Sequence, residues 1–132
     1  MAVNAQWEND EKTIMCWTFE GAWQWEQYFH IRTTTNQQIH AQKHTVDLIV
    51  DLTRTTLLPS SVLMHARSAV MTAPSNIGVT VLVSANPVLH AFFNMFRNLY
   101  RGLIHNNHID MVMVMSLDDA YKLLAERRVK NA

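Results

Sequence analysis

Two patterns of apolar residues alternate along the chain. Four short and largely apolar runs are rich in β-branched residues and are bounded by polar or turn residues, which is typical of buried strands: 13–19, 46–52, 78–84 and 109–115. After each run, apolar residues recur at intervals of three and four, the spacing of one helix face. The pattern therefore predicts strands that alternate with amphipathic helices.

Turn and capping residues mark where each predicted helix begins and ends. Serine and asparagine side chains satisfy the free N–H groups of a helix start, and proline is tolerated in its first turn. On this basis the helices are predicted to begin near Trp23, Ser61, Asn86 and Ser116, and the second and third to end at Pro74 and Gly102.

The order of these elements predicts an α/β fold. Residues 2–7 are expected to pair with the first run as a hairpin, because Asn9 and Asp10 suit a turn. The order is then β(β)αβαβαβα, which indicates a mostly parallel sheet of four or five strands with right-handed crossovers and helices packed on it. Without a linker or repeat, residues 1–132 are predicted to form a single domain.

The composition is typical of a globular domain and excludes several partners. Of the 132 residues, 48% are hydrophobic and only 17% are charged, which is unlike a disordered chain. Eleven basic residues balance eleven acidic ones, so there is no electrostatic reason to expect a nucleic acid or an anionic membrane. The first residues lack a signal-peptide pattern and no apolar run approaches the roughly 20 residues of a spanning helix, so a cytoplasmic protein is expected.

Motifs of the common catalytic and metal sites are missing, so neither an enzyme nor a cofactor is expected. His40 and His44 are four residues apart and His105 and His108 are three apart, but neither pair has a third ligand at the spacing of a metal site. The sequence contains no nucleophile elbow and no Gly-rich phosphate loop. Cys16 stands alone among apolar residues, which predicts a buried and inert thiol.

The segment around Asp51 carries a family resemblance. An apolar strand that ends near Asp51 leads through a short loop to Ser60 and Ser61 at a predicted helix start. This resembles the central signature of STAS domains, the family of the anti-sigma-factor antagonists, and the order of elements is similar along nearly the whole chain. Pro59 and Val62 stand where that family has Asp and Gly. The chain thus resembles a divergent branch, with an element order shared by SEC14-like lipid-binding domains.

The resemblance implies a non-catalytic regulatory module switched by phosphorylation at Ser60 or Ser61. Its partner would be another regulatory protein, a kinase or an anti-sigma-like factor. A helix start favours an added phosphate because free N–H groups and the helix dipole point toward it. The alternative is that Ser60 is only an N-cap, worth about 1 kcal/mol of stability. The partner surface at this end of the sheet is expected to include Trp23, Gln24, Thr53, Arg54, Pro59, Met64 and Arg67.

The predicted third helix carries more apolar bulk than one core-facing stripe needs. Its large side chains form either a wide buried stripe or an exposed partner surface or ligand groove. The exposed arrangement gives an alternative function, a small-molecule or lipid-binding domain with an apolar cleft beside this helix. It also gives one route to a homodimer, the other being an uncovered edge strand near the N-terminus. The residues of this patch are Phe92, Phe93, Phe96, Arg97 and Tyr100.

Overall fold

A computed structural model describes residues 2–130 of the protein as alternating strands and helices, which confirms the predicted α/β class. The strands are β1 (Val3–Trp7), β2 (Ile14–Phe19), β3 (Val46–Asp51), β4 (Ile77–Val83) and β5 (Asp110–Val114). The helices are α1 (Trp25–His40), α2 (Val62–Thr72), α3 (Pro87–Leu99), α4 (Arg101–Asn106) and α5 (Leu117–Lys130).

The strands form one mostly parallel sheet in the order β1-β2-β3-β4-β5. The N-terminal hairpin is confirmed, since β1 pairs antiparallel with β2 and places Val3 opposite Phe19. The remaining neighbours pair in parallel, so each of the pairs β2–β3, β3–β4 and β4–β5 is joined by a helical crossover. Because the strands are added in one direction, right-handed crossovers place the intervening helices on one face of the sheet.

Helix α1 packs on the face of the sheet that carries the crossover helices, over β2 and β3. The alternation of side chains along a strand turns Trp17 and Leu48 to this face, where both belong to one buried cluster with Tyr28 and Ile39 of α1. The Trp17 indole N–H donates to the Thr35 hydroxyl at 3.0 Å, so the buried polar groups of this contact satisfy each other.

Helix α5 packs on the opposite face. Cys16, Ile49 and Val81 are buried there against Ala120 and Leu124 of α5. The alternation of the strand residues therefore separates two layers of side chains, one under α1 and one under α5.

The C-terminal part of α5 is tied to the sheet by an arginine. The Arg128 guanidinium donates to the Thr13 carbonyl at 3.0 Å and to one Asp47 carboxylate oxygen at 3.2 Å. The other Asp47 oxygen accepts from the Val79 backbone N–H at 3.0 Å. This carboxylate therefore joins α5, β3 and β4, and it fixes α5 along the sheet.

The predicted starts of the last two long helices are confirmed by their caps. The Asn86 side-chain oxygen accepts from the Val88 N–H at 2.9 Å, with Pro87 in the first turn. The Ser116 hydroxyl accepts from the Asp119 N–H at 3.1 Å, which is the serine half of a capping box.

The predicted end of the third helix at Gly102 is wrong. Helix α3 ends at Leu99, and Gly102 lies inside the short helix α4. Tyr100 separates the two helices with φ −110° and ψ 30°. The helical spacing of apolar residues continues across this break, which is why the pattern did not predict it.

Candidate functional site

A cavity of about 190 Å³ lies between the sheet and the helices α1 and α2, and it is partly open to solvent. Its floor is formed by alternate residues of β2, β3, β4 and β5, and its walls by the inward sides of the two helices. Side chains that line it include Trp17, Phe19, Trp23, Trp25, Tyr28, Arg32, Asn36, Leu48, Val50, Leu52, Leu58, Val62, His65, Ala66, Ala69, Val70, Ala73, Thr80, Leu82 and Met111.

The small side chains of α2 explain why the cavity exists. Ala66, Ala69 and Ala73 recur at the spacing of one helix face, and all three line the cavity. Among the side chains of α2, Val70 alone is buried. A helix segment with alanine at half of its inward positions cannot fill the space over a sheet, because protein interiors are close-packed only where side-chain volume matches the gap. The empty space is thus encoded in α2.

Aromatic rings form the wall at the carboxyl end of the strands. The Trp25 ring lies 5.0 Å from that of Trp23, 5.7 Å from Tyr28 and 4.1 Å from His65, measured between ring centroids. Phe19 adds a further ring, 4.7 Å from Trp23. The T-shaped contacts of Trp25 with Trp23 and Tyr28 are favourable arrangements for aromatic pairs. This wall therefore has a fixed shape.

Two indole N–H groups anchor the aromatic wall to the loop that precedes α2. Trp25 donates to the Ser60 carbonyl at 2.6 Å, and Trp23 donates to the Thr55 hydroxyl at 3.1 Å. The same hydroxyl donates to the Phe19 carbonyl at 3.0 Å. The loop at 53–61 is thus held against the wall from both ends.

Polar groups enter the cavity along the line where α1 meets α2. Arg32 donates to the Ser68 hydroxyl at 3.5 Å, and Asn36, one turn further, donates to the Thr72 carbonyl at 3.4 Å. Both distances are long for hydrogen bonds, so α2 is held only weakly to α1 at this line. Burial raises the pKa of the neighbouring Tyr28 hydroxyl, while a hydrogen bond and the charge of Arg32 lower it in part.

Neither serine of the resemblance motif acts as the predicted N-cap. Helix α2 begins at Val62, so Ser60 lies one residue before the capping position. Ser61 occupies that position with φ +63° and ψ 38°, and its side chain makes no capping hydrogen bond. This left-handed backbone is unusual for a residue other than glycine. Ser60 is exposed, with its carbonyl held by Trp25.

Most of the predicted partner surface is exposed, with two exceptions. Gln24, Thr53, Arg54, Met64 and Arg67 are exposed at this end of the molecule. Pro59 is half-buried. Trp23 is buried and lines the cavity, so it offers little surface to a partner.

The cavity between α1 and α2 does not lie beside the third helix, where the sequence predicts an apolar cleft. Among the residues described, the lining of the cavity includes none from α3. Phe93 and Phe96 are 6% and 2% exposed, so they are core residues and not part of an open patch. Phe92 and Tyr100 are half-buried, and Arg97 is exposed with its guanidinium 5.6 Å from the Phe93 ring centre.

Other apolar residues of α3 are exposed in place of the predicted patch. Val88, Met95 and Leu99 recur along one side of the helix and are all exposed. They are the side chains through which a homodimer contact at this helix would form, and the homodimer stays a prediction.

The single cysteine is buried on the α5 face, away from the cavity. Burial, with a smaller contribution from the charge of Glu8, raises the pKa of the Cys16 thiol to about 12. We therefore expect no reaction of the folded protein with a disulfide reagent such as DTNB at pH 8, because the thiolate is the reactive form. In guanidinium chloride one thiol per chain should react at once. Fast reaction of the folded protein at pH 8 would contradict this burial.

Several classes of site find no support in residues 2–130. No group of three or more His, Cys, Asp or Glu side chains there is arranged to hold a metal ion. Helices of the described chain are all too short or too polar to cross a membrane.

Comparisons with known proteins give no family for this chain. No protein-family model matches it, and no curated protein matches it significantly.

Proposed function

We propose that the protein is a non-catalytic binding domain that takes up a small apolar molecule between α1, α2 and the sheet. The observation that carries this proposal is the cavity of about 190 Å³, left open by the alanine face of α2. An engineered apolar cavity of about 150 Å³ stays dry and binds benzene, so a cavity of this size has room for a molecule somewhat larger than one aromatic ring.

The chemistry of the lining supports binding and gives no basis for catalysis. Carbon-rich side chains dominate it, and the few polar groups are Arg32, Asn36, His65, Tyr28 and Thr80. Ligand sites of proteins commonly have this composition, with a small number of polar groups that orient an apolar molecule. A nucleophile paired with a base, the arrangement that covalent catalysis needs, is missing from the lining residues described.

The fold is proposed to be that of a divergent STAS-like branch. The observed element order and the antiparallel N-terminal strand support this assignment. Asp51, the acidic residue of the motif, is 5% exposed and accepts from the Thr53 N–H at 2.9 Å and from its hydroxyl at 2.6 Å. Its role here is to shape the start of the loop that leads to α2.

A tryptophan-emission titration tests the proposed function. Trp17, Trp23 and Trp25 line the cavity. We expect 1-octanol to change their emission in a saturable way and to raise the melting temperature. At a hundredfold excess over the dissociation constant, the free energy of unfolding should rise by about 2.7 kcal/mol.

Water-soluble 1,8-octanediol is the matched ligand control for this titration. It has the same chain length, but it would bury a second hydroxyl without a partner in an apolar wall, which costs free energy. Equal effects of the two compounds, or no effect of either, would count against an apolar binding site.

A regulatory protein-binding surface is the second candidate function. Leu57 and Met64 are 67% and 61% exposed, and they lie beside Ser60 and Arg67. The first turn of α2 contains no acidic residue, so a phosphate added at Ser60 would meet the positive end of the helix without repulsion.

Affinity capture from host lysate with Ser60→Asp and wild-type baits tests this second function. We expect a regulatory protein to bind one bait and not the other. Ser75→Asp, which places a carboxylate at an exposed serine beyond the other end of α2, should behave like wild type. Identical partners on all three baits would contradict a phosphorylation switch at Ser60.

A further inference from the structure

We infer that the apolar molecule bound in the cavity carries one carboxylate, held by Arg32 where α1 meets α2. This inference rests on the proposed binding function and specifies its ligand as an apolar monocarboxylate. Four observations carry it: the charge of the lining, the free donors of Arg32, the rings beneath its guanidinium and the number of cations.

The lining has positive charge without a compensating acid. Arg32 is the permanently charged side chain among the residues that line the cavity, and no Asp or Glu of the described chain lines it. The ion pairs formed by residues 2–130 are Arg54–Glu20, Arg127–Asp110 and Arg128–Asp47, so Arg32 has no carboxylate partner. A half-buried cation beside an apolar cavity attracts an anion more strongly than a fully exposed cation does, because solvent screening is reduced there.

The guanidinium also has hydrogen-bond donors to spare. Its bond to the Ser68 hydroxyl, at 3.5 Å, is at the limit of hydrogen-bond geometry. Arginine carries five N–H donors in a planar fork. One donor is directed at the Ser68 hydroxyl and another at the Tyr28 hydroxyl, so three remain for a ligand, and a carboxylate matches two of them at once.

Aromatic rings hold this fork in place. The Arg32 guanidinium carbon lies 5.0 Å from the ring centre of Phe29 and 5.4 Å from that of Tyr28, within the range of cation–π contacts. A guanidinium stacked on rings keeps its edge free for hydrogen bonds. Asn36, one helical turn away, also lines the cavity and offers an amide to the same end of a ligand.

The single guanidinium at the cavity favours a ligand group with one negative charge. A phosphate group of nearly two charges is usually held by several cations or by a helix N-terminus. Arg32 and Asn36 lie in the middle of α1, and α2 offers this region a hydroxyl and a backbone carbonyl, from Ser68 and Thr72. A single planar carboxylate with an apolar body matches one guanidinium at the edge of an apolar cavity.

Calorimetric titration of octanoate and 1-octanol into wild type, Arg32→Gln and Arg101→Gln tests the inference. The two probes share their alkyl chain and differ in the head group. We expect wild type to bind octanoate about tenfold or more tightly than 1-octanol, as charge-assisted hydrogen bonds predict. Arg32→Gln should lose that preference and keep its affinity for 1-octanol. Arg101→Gln removes an exposed arginine of α4 and should match wild type.

Each outcome separates the inference from the function on which it rests. If wild type binds both probes equally, or if Arg32→Gln retains the preference for octanoate, the carboxylate inference fails and the binding function stands. If neither probe binds wild type, the binding function itself fails. Should Arg32→Gln not fold, Arg32→Lys keeps the charge without the fork and is expected to bind octanoate less tightly than wild type; unchanged affinity would overturn the bidentate arrangement.

Discussion

Replacing Ala69 by leucine is expected to stabilise the protein and to weaken binding of 1-octanol at least tenfold. Ala69 lies on the inward face of α2, packs against the core and lines the cavity, so a leucine there can extend into the empty space. Cavity-filling substitutions commonly raise the free energy of unfolding by about 0.5–2 kcal/mol. The same side chain occupies the volume that the ligand needs, so its affinity should fall at least tenfold. Urea unfolding and the emission titration measure the two effects on one variant.

Ala91→Leu is the matched control for this substitution. Ala91 lies on α3 and is exposed, so the change in side chain is identical while no cavity is filled. We expect unchanged 1-octanol binding and a stability within about 0.5 kcal/mol of wild type, as for most surface substitutions. A destabilised Ala69→Leu variant that still binds 1-octanol would show that the alanine face of α2 does not border the binding site.

Replacing Leu124 by alanine is expected to destabilise the protein by about 2–5 kcal/mol, the usual cost for a buried leucine. Leu124 of α5 is 1% exposed and packs against Ile49 and Val81 of the sheet. Because this face is closely packed, the lost methyl groups leave a void that the neighbours cannot fill. Urea unfolding measures the effect.

Leu123→Ala provides the comparison within the same helix turn. Leu123 is only half-buried, so its replacement by alanine should lower the free energy of unfolding clearly less than Leu124→Ala does. Octanol binding to Leu124→Ala, measured where the protein is fully folded, should equal that of wild type, since the cavity lies on the opposite face. If Leu124→Ala lowers the free energy of unfolding by less than about 1 kcal/mol, the α5 face of the sheet is as loosely packed as the α2 face.

The sequence predicted the elements because each was encoded locally. β-Branched runs marked the strands, and Asn86 and Ser116 marked two helix starts through side chains that do cap their helices. The start of α2 near Ser61 was predicted correctly, but one helix end and the backbone conformation of one cap were missed for a physical reason. The break at Tyr100 lies within continuous helical spacing, and the left-handed backbone at Ser61 depends on how the preceding loop is anchored by tryptophans far away in the chain.

The position of the cavity could not be predicted from apolar bulk. The large rings of the third helix predict a patch or groove there, but Phe93 and Phe96 are buried in the core. An empty space follows from missing volume, and its sequence marks are the alanines at 66, 69 and 73 in the α2 stripe. Whether small residues on a helix face leave a cavity depends on the distance from helix to sheet, which only the folded structure gives.

Methyl-resolved NMR spectra during a titration with 1-octanol test the central claim most directly, because they report where the molecule binds. We predict chemical-shift changes at Val50, Val70 and Leu82, which line the cavity, and no change at Val81 and Leu124 on the α5 face. Changes centred on the α5 face or on α3, or no saturable change at all, would contradict the assignment of the cavity as the binding site.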